Sequence, residues 1–154
     1  MAATPNYLSL SQIIILNWDQ AQSLVRPLRE AVFINEQGIP EDLEWDDIDQ
    51  NARHIVIMLK NKVIGCARLI VLNQVLHLQR MAITKIFRNL GLGSRLINHS
   101  IAIARKKKLV EIKISAQVTV MLFYQKKGFK PLGQIYMEAG IPHQEMSLRV
   151  KPNF

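Results

Sequence analysis

The feature that most constrains the fold is a strand, a glycine-containing loop, a helix and a second strand in direct succession. The segment VLHLQRMAI (75–83) has the apolar content of a strand. The segment GLGSRLINHSIAIARKKK (91–108) repeats apolar residues at helical spacing and ends in basic residues, which favour a helix C-terminus. LVEIKIS (109–115) alternates like a strand. Two strands joined through a helix in this way pair in parallel, so the sequence predicts an α/β or α+β fold.

Further strands are predicted on both sides of this unit. The β-branched residues of SQIIILNW (11–18) predict a first strand. Two apolar segments, ARHIVIMLK (52–60) and VIGCARLIVL (63–72), are joined by a short polar turn and predict a hairpin in the core of the sheet. The last two strands are expected in FKPLGQIYM (129–137) and HQEMSLRV (143–150).

Two further helices are predicted. The segment QAQSLVRPLREAVFINEQ (20–37) follows Asp19, a residue type that caps helix N-termini. Because Pro27 lacks a backbone donor and clashes with the preceding turn, we expect either a kink there or a regular helix that begins near Arg26. The segment TVMLFYQKKG (119–128) predicts a short helix that ends at its glycine.

The length and composition of the chain indicate one domain. Of its 154 residues, 49% are hydrophobic, so we predict a single domain over residues 1–154. No apolar run reaches the roughly 18 residues of a membrane span. The segment MAATPNYLSLSQ lacks the pattern of a secretion signal, and the single cysteine excludes a disulfide within the chain. We therefore expect a cytoplasmic protein without a membrane partner, in which Cys66 is an inert core residue.

The net charge of +8 is unevenly distributed. Twelve Lys or Arg residues and one acid lie between Arg80 and Lys130, whereas seven of the twelve acids lie between Glu36 and Asp49. The acidic part falls in GIPEDLEWDDIDQN (38–51), which we expect to be a loop or a short helix. Either both regions are solvated surfaces, or they form a cleft that meets an anion on one side and a cation on the other. A nucleic-acid partner is not expected, because the basic residues lack interleaved aromatic residues.

The glycine loop RNLGLGSR (88–95) is a candidate anion site. It is not a Walker loop, and it lacks the third glycine of a dinucleotide fingerprint. Glycines at the start of a helix let unpaired backbone N–H groups approach an anion, and Arg88 and Arg95 would add full charges. The alternative is a tight turn with an exposed arginine. The four histidines show no ligand spacing with Cys or acidic residues, so no metal site is expected.

The loop RNLGLG resembles the R/Q-x-x-G-x-G/A motif of the GNAT superfamily of acetyl-CoA-dependent N-acetyltransferases. The segments LHLQRMAITKIF and ISAQVTVMLFYQKKGFKPLG are similar to the stretches that flank this loop in the family. VFINEQGIP and EAGIPHQEM resemble a small bacterial branch of it. The resemblance extends over residues 20 to 150. It implies a GNAT-like fold: a central mixed, mostly antiparallel sheet of six or seven strands flanked by about four helices.

The resemblance also implies a site for acetyl-CoA as co-substrate. In GNAT proteins the strand before the loop splays from its neighbour at a bulge, and its exposed backbone pairs with the pantetheine arm. Here that stretch is Met81, Ala82 and Ile83, one N–H of which would stabilise the oxyanion. Gln117 stands where many members have an asparagine that contacts the cofactor. The pyrophosphate would lie on the backbone N–H groups of Arg88, Asn89, Leu90, Gly91, Leu92, Gly93 and Ser94.

For catalysis, Tyr124 matches the tyrosine that often protonates the departing thiolate, with simple packing against Phe123 as the alternative. Many members place a carboxylate base on the strand before the loop, but this chain has Gln79 there, which cannot accept a proton. Glu36 and His143 are the first candidates for the base, since they lie in the branch-specific stretches. Three alternatives remain open, namely water-mediated proton loss and the histidines His54 and His77.

The predicted reaction is transfer of an acetyl group to a primary amine of a small molecule or peptide, by direct attack in a ternary complex. The acidic segment suggests a cationic acceptor, whose identity the sequence leaves open. The alternative function is a non-catalytic acyl-CoA-binding or sensor module, which the missing carboxylate on the strand favours. A homodimer formed through the late strands is expected from the resemblance alone.

Overall fold

The architecture is a seven-stranded sheet with helices on both faces, seen in a computed structural model that describes residues 7–151. The strand order is β1-β2-β3-β4-β5-β7-β6. Only β4 and β5 pair in parallel, so the predicted mixed, mostly antiparallel sheet is confirmed. The strands are β1 Ser11–Leu16, β2 Arg53–Leu59, β3 Lys62–Leu72, β4 Val75–Ile83, β5 Glu111–Gln117, β6 Lys130–Glu138 and β7 Ile141–Arg149. The first six residues of the segment assessed for a secretion signal lie outside the described residues.

Five α-helices, one π-helix and three 3₁₀ helices occur within residues 7–151. The α-helices are α1 Tyr7–Leu10, α2 Trp18–Arg29, α3 Glu41–Glu44, α4 Leu92–Lys106 and α5 Met121–Lys126. A π-helix covers Glu30–Glu36, and 3₁₀ helices cover Asp47–Asn51, Lys85–Phe87 and Val118–Val120. The acidic segment therefore forms short helices, as one of its two interpretations predicted. In this part of the chain, no helix is long and apolar enough to cross a membrane.

The N-terminus of α2 differs from the prediction. Asn17, not Asp19, caps the helix, because Asn17 Oδ1 accepts a hydrogen bond from the backbone of Gln20 at 2.9 Å. The Gln20 side chain accepts in turn from the Asn17 backbone at 3.1 Å, which completes a capping box. Regular helix does not begin near Arg26, since α2 already extends from Trp18 through Pro27. The wider π-turn that follows begins three residues after the proline.

The core consists of two apolar clusters, one on each face of the sheet. Because side chains alternate along a strand, Ile55 and Ile57 of β2 face the cluster beneath α4, whereas Val56 faces the cluster beneath α2. Full burial of such a side chain contributes about 1.5–3 kcal/mol to folding. Cys66 belongs to the α2 cluster, where burial raises the pKa of its thiol to about 12. Covered on both faces, the sheet is a rigid frame for the groups at the ends of β4 and β5.

Candidate active site

The site forms where β4 and β5 separate. Their parallel pairing joins 75–78 to 111–114 and ends there, although β4 continues to Ile83 and β5 to Gln117. The cause is a bulge in β4: Arg80 has a left-handed backbone (φ 52°), and the register against β3 shifts at this point. The stretch 81–83 named from the family resemblance follows this bulge. A wedge-shaped gap therefore opens between the two strands.

A cavity of about 860 Å³ occupies this gap. Its walls come from β4 beyond the bulge, the first turn of α4, the end of β5, α5, the π-helix region and the β6–β7 hairpin. Eleven of the residues named from the sequence line it: Met81, Ile83, Arg88, Asn89, Gly91, Leu92, Gly93, Ser94, Gln117, Tyr124 and His143. Six other candidates named from the sequence do not line it, namely Glu36, His54, His77, Ala82, Leu90 and Arg95. The Ala82 side chain points to the opposite face of the sheet, because successive strand residues alternate, and its backbone pairs with Cys66 of β3.

The glycine loop leads into α4 with an open N-terminus. Asn89 and Gly91 both take left-handed backbone conformations (φ 64° and 87°), which turn the chain into the helix. No side chain of the described residues caps α4. Its first N–H groups have no partner within the helix, and with the helix dipole they form an anion site that fits a phosphate. A Cβ on Gly93 would lie only 3.2 Å from Cζ of Phe123, so any larger residue would make the Phe123 ring shift by a few tenths of an ångström.

The two arginines near this loop bind protein groups, contrary to the role expected for their side chains. Arg88 donates to both carboxylate oxygens of Glu36 at 2.7 and 2.9 Å, and its Nε donates to the Ile83 carbonyl at 3.0 Å. Arg95 binds Ser11 through the hydroxyl and, at 3.2 Å, through the carbonyl. The groups left for an anion at this loop are therefore the backbone N–H groups at the start of α4, together with the helix dipole.

Glu36 is a poor candidate for the base in this arrangement. Its carboxylate does not line the cavity, and the hydrogen bond from Arg88 lowers its pKa. A carboxylate held by a guanidinium gives up this pairing when it takes a proton, so it is a weak acceptor. The pairing with Arg88 joins the glycine loop to the end of the π-helix, and the geometry gives Glu36 no support as the base.

Tyr124 lies on α5 and is 6% exposed. Its ring meets those of Phe123 and Phe129 edge-on, with centroids 5.2 and 5.8 Å apart, and it also lines the cavity. Tyr124 therefore both packs against the two phenylalanine rings and lines the cavity, so the two interpretations of this residue do not exclude each other. Burial raises the pKa of the Tyr124 phenol, so the group stays protonated at neutral pH, as a proton donor must be.

His143 lies on β7 and is the one histidine among the described residues that line the cavity. Its Nδ1 is 2.6 Å from the carbonyl of Ile141, so this nitrogen carries a hydrogen that it donates. Its Nε2 is 3.4 Å from Oε2 of Glu138, which also lines the cavity. His54 instead lies 3.0 Å from the Asp49 carbonyl and packs on Trp18, away from the cavity.

The acidic segment is tied to the sheet by a buried ion network that the sequence interpretation missed. Glu44 and Asp49 are buried, so the segment is not simply a solvated surface. Arg29 binds Glu44 and Asp49, each at 2.8 Å. Arg68 binds Asp46 at 2.7 Å and Asp49 at 3.1 Å. A signal was present in the sequence, because both arginines interrupt apolar patterns, and a buried cation needs acidic partners.

Two residues that line the cavity, Gln79 and Glu44, also take part in this ion network. The amide oxygen of Gln79 accepts from Arg68 at 2.8 and 3.0 Å. Arg80 Nε lies 3.2 Å from Glu44 Oε1, an ionic contact without hydrogen-bond geometry. Three guanidinium groups thus balance three of the six carboxylates of this segment, so the charges of Glu44, Asp46 and Asp49 give no support for a cationic acceptor. Among the residues that the structure describes, no cluster of three or more His, Cys, Asp or Glu could hold a metal ion.

Comparison with known proteins identifies the family. The model of the acetyltransferase (GNAT) domain matches residues 20–150. The chain belongs to the GNAT acetyltransferase family. Members of this family use acyl-CoA, in agreement with a splayed strand pair beside an open helix N-terminus.

Two relatives are similar in sequence, and two solved structures have the same fold. The chain is 33% identical over 129 residues to Bacillus subtilis YyaT, which covers 82% of this chain and 87% of YyaT. It is 29% identical to Escherichia coli ElaA over 128 residues, 80% of this chain and 84% of ElaA. The crystal structure of ElaA has the same fold, with a TM-score of 0.80 over 89% of this chain and 98% of that chain at 23% identity. An acyl-CoA N-acyltransferase from Pseudomonas aeruginosa gives a TM-score of 0.81 at 22% identity, over 89% of this chain and 98% of its own.

Proposed function

We propose that this protein transfers the acetyl group of acetyl-CoA to a primary amine, by direct attack of the amine in a ternary complex. The observation that carries the proposal is the continuity of the cavity. It extends from the open N-terminus of α4 along the gap between β4 and β5, and its walls include both Tyr124 and His143. In this proposal one cavity combines a candidate anion site, a strand edge that is not paired with β5, a proton donor and a proton acceptor.

Binding of acetyl-CoA would use backbone groups. The backbone of 81–83 is not paired with β5, so it can pair with the pantetheine arm like an added strand. An N–H group of this stretch would polarise the thioester carbonyl and stabilise the oxyanion. The pyrophosphate would lie on the N–H groups of 88–94, and Gln117 at the end of β5 would contact the arm from the other side.

The amine nitrogen attacks the thioester carbon, so that a C–N bond forms and the C–S bond breaks. Tyr124 gives its proton to the departing thiolate. His143 takes the proton that the amine loses: in a neutral ring whose Nδ1 carries the hydrogen, Nε2 is the free acceptor. The proton lost by the amine equals the proton gained by the thiol, so the products are the amide and coenzyme A.

A thermal-melt assay tests the binding step on the wild type and on Gly93→Trp. A ligand at a hundred times its Kd adds about 2.7 kcal/mol, which raises the Tm of a domain of this size by about 5–10 °C. We expect this shift with acetyl-CoA, a small effect of ATP, and no shift with Gly93→Trp, whose side chain would fill the first turn of α4. Asn98→Trp, on the exposed face of the same helix, is the matched control.

The outcomes separate the two functions. Absence of a shift in the wild type would refute the proposal. A shift accompanied by thiol release with an amine from a broad screen would support it. A shift without thiol release from any amine would instead favour the non-catalytic acyl-CoA-binding module.

A further inference from the structure

Glu138, the last residue of β6, is a cavity residue whose charge has no cationic side-chain partner among the lysines and arginines of residues 7–151. Two acids of the described chain line the cavity, Glu44 and Glu138. The Glu44 carboxylate is buried between Arg29 and Arg80 at 2.8 and 3.2 Å. The Glu138 side chain is 54% exposed, and its Oε2 lies 3.4 Å from Nε2 of His143. Glu138 is therefore the carboxylate available to a bound molecule.

When the His143 ring is neutral, two hydrogen-bond acceptors face each other at this point. The Nδ1 atom of His143 donates to the Ile141 carbonyl, so Nε2 of the neutral ring has only a lone pair. Oε2 of the ionised Glu138 is likewise an acceptor, 3.4 Å away. A group that donates to both atoms would stabilise the pair. A primary amine in neutral water is an ammonium with three N–H donors, so it can serve both.

Neighbouring side chains hold the two acceptors in place. Tyr136 stacks on the His143 ring, with centroids 6.1 Å apart, and its hydroxyl is hydrogen-bonded to Ser115. The Ser115 hydroxyl also donates to Glu138 Oε2 at 3.4 Å, at the long end of hydrogen bonding. The carboxylate and the imidazole therefore keep their relative position before any molecule binds.

We propose that Glu138 and His143 form the ammonium-binding site of the acceptor, and that Glu138 determines specificity for a protonated primary amine. This rests on the proposed function. The ammonium donates one N–H to Glu138 and one to His143 Nε2. The N–H bond toward Nε2 then breaks, and its proton moves to the imidazole and on to water before the attack. The nitrogen keeps the electron pair with which it attacks the thioester, and the second proton, lost as the amide forms, goes to the same Nε2. Glu138 stabilises the resulting imidazolium.

The cavity wall opposite Glu138 indicates which chemical group the acceptor carries next to its ammonium. Gln117, the cross-strand partner of His143, donates to Gln37 Oε1 at 2.9 Å and so joins the two walls beside the ammonium site. Three apolar side chains line the cavity on the side of Gln37, those of Phe33, Ile39 and Leu43. An aryl or alkyl body next to the ammonium group fits this wall. The acceptor class is thus a primary amine with an apolar body.

In the test, the protein is first saturated with coenzyme A. It is then titrated either with phenethylamine or with the neutral phenethyl alcohol. The histidine ring signals are followed by NMR, with His143→Gln to assign the His143 signal. We expect phenethylamine to shift this signal and the alcohol to bind at least tenfold more weakly. Glu138→Gln should weaken amine binding by about tenfold or more, since it removes a charged partner. Glu145→Gln, an exposed acid of β7 that pairs with Lys113 outside the cavity, should bind like the wild type.

Each result has a definite meaning. Equal binding of amine and alcohol, equal binding to Glu138→Gln and wild type, or no binding of the amine to wild type would overturn the inference. If the acetyl-CoA melt shift persists in these cases, only the inference fails. Loss of that shift in the wild type would refute the proposed function itself. With an amine that turns over, Glu138→Gln should raise KM more than it lowers kcat.

Discussion

The buried ion network makes a quantitative prediction for Asp49→Ala. Asp49 is 2% exposed, and its Oδ1 accepts hydrogen bonds from Arg29 at 2.8 Å and Arg68 at 3.1 Å. The substitution leaves Arg29 with Glu44 and Arg68 with Asp46. Two buried guanidinium groups then share one carboxylate fewer, and neither can reach water without opening the contact between the acidic segment and the sheet.

The magnitude follows from these contacts. Two hydrogen bonds between charged groups, at about 1.5–3 kcal/mol each, give a loss of about 3–6 kcal/mol. Removal of one partner from a buried ion pair costs about 3–5 kcal/mol, which agrees. We therefore expect the free energy of unfolding to fall by about 3–5 kcal/mol and the Tm to fall by about 6–20 °C.

Urea unfolding followed by circular dichroism measures this loss. Asp47→Ala, an exposed acid of the same segment, is the matched control and should change the stability by less than about 0.5 kcal/mol. Repeating Asp49→Ala in an Arg68→Met background should give a smaller loss, because the partner is already absent. If Asp49→Ala costs no more than the control, the network does not stabilise the fold and the reasoning is refuted.

Two further predictions concern catalysis and pH. Tyr124→Phe should lower kcat for thiol release by roughly 10²–10⁴-fold and leave the acetyl-CoA melt shift nearly unchanged, because the ring keeps its packing; an unchanged kcat would exclude Tyr124 as the proton donor. Burial lowers the pKa of His54, so the folded protein binds a proton there less readily than the unfolded chain does. The free energy of unfolding should therefore decline as the pH falls below about 6.5, and His54→Gln should reduce that decline in urea titrations. The same pH slope in both proteins would contradict this account.

The predicted elements that agree with the structure depend on local patterns. The strand predicted at 75–83 coincides with β4, and α4 begins one residue after the predicted start. Hydrophobic periodicity and basic residues at a helix end act within a few residues, so they can be recognised in the sequence. The helix cap was assigned wrongly because Asn17 and Asp19 are both capping types, and only the backbone conformation distinguishes them.

The interactions that the sequence interpretation missed join residues that are distant along the chain. Arg88 and Glu36 are 52 positions apart, and Arg68 and Asp49 are 19 apart. No local pattern specifies which acid meets which arginine. Arg88 was therefore expected to face the phosphate, and Glu36 to be a base, although the two pair with each other. Glu138 was overlooked for the same reason, since its role depends on His143 across the β6–β7 hairpin.

The sequence by itself determined the order of strands and helices, the parallel step through α4, the glycine loop and hence the family resemblance. Only the tertiary structure decided which side chains share the cavity. The physical reason is the bulge at Arg80, where a left-handed residue shifts the register and ends the pairing of β4 with β5. A shift of one residue reverses which face each strand side chain occupies, so the residues that meet in the cavity depend on the exact position of the bulge, which the family resemblance indicated only approximately.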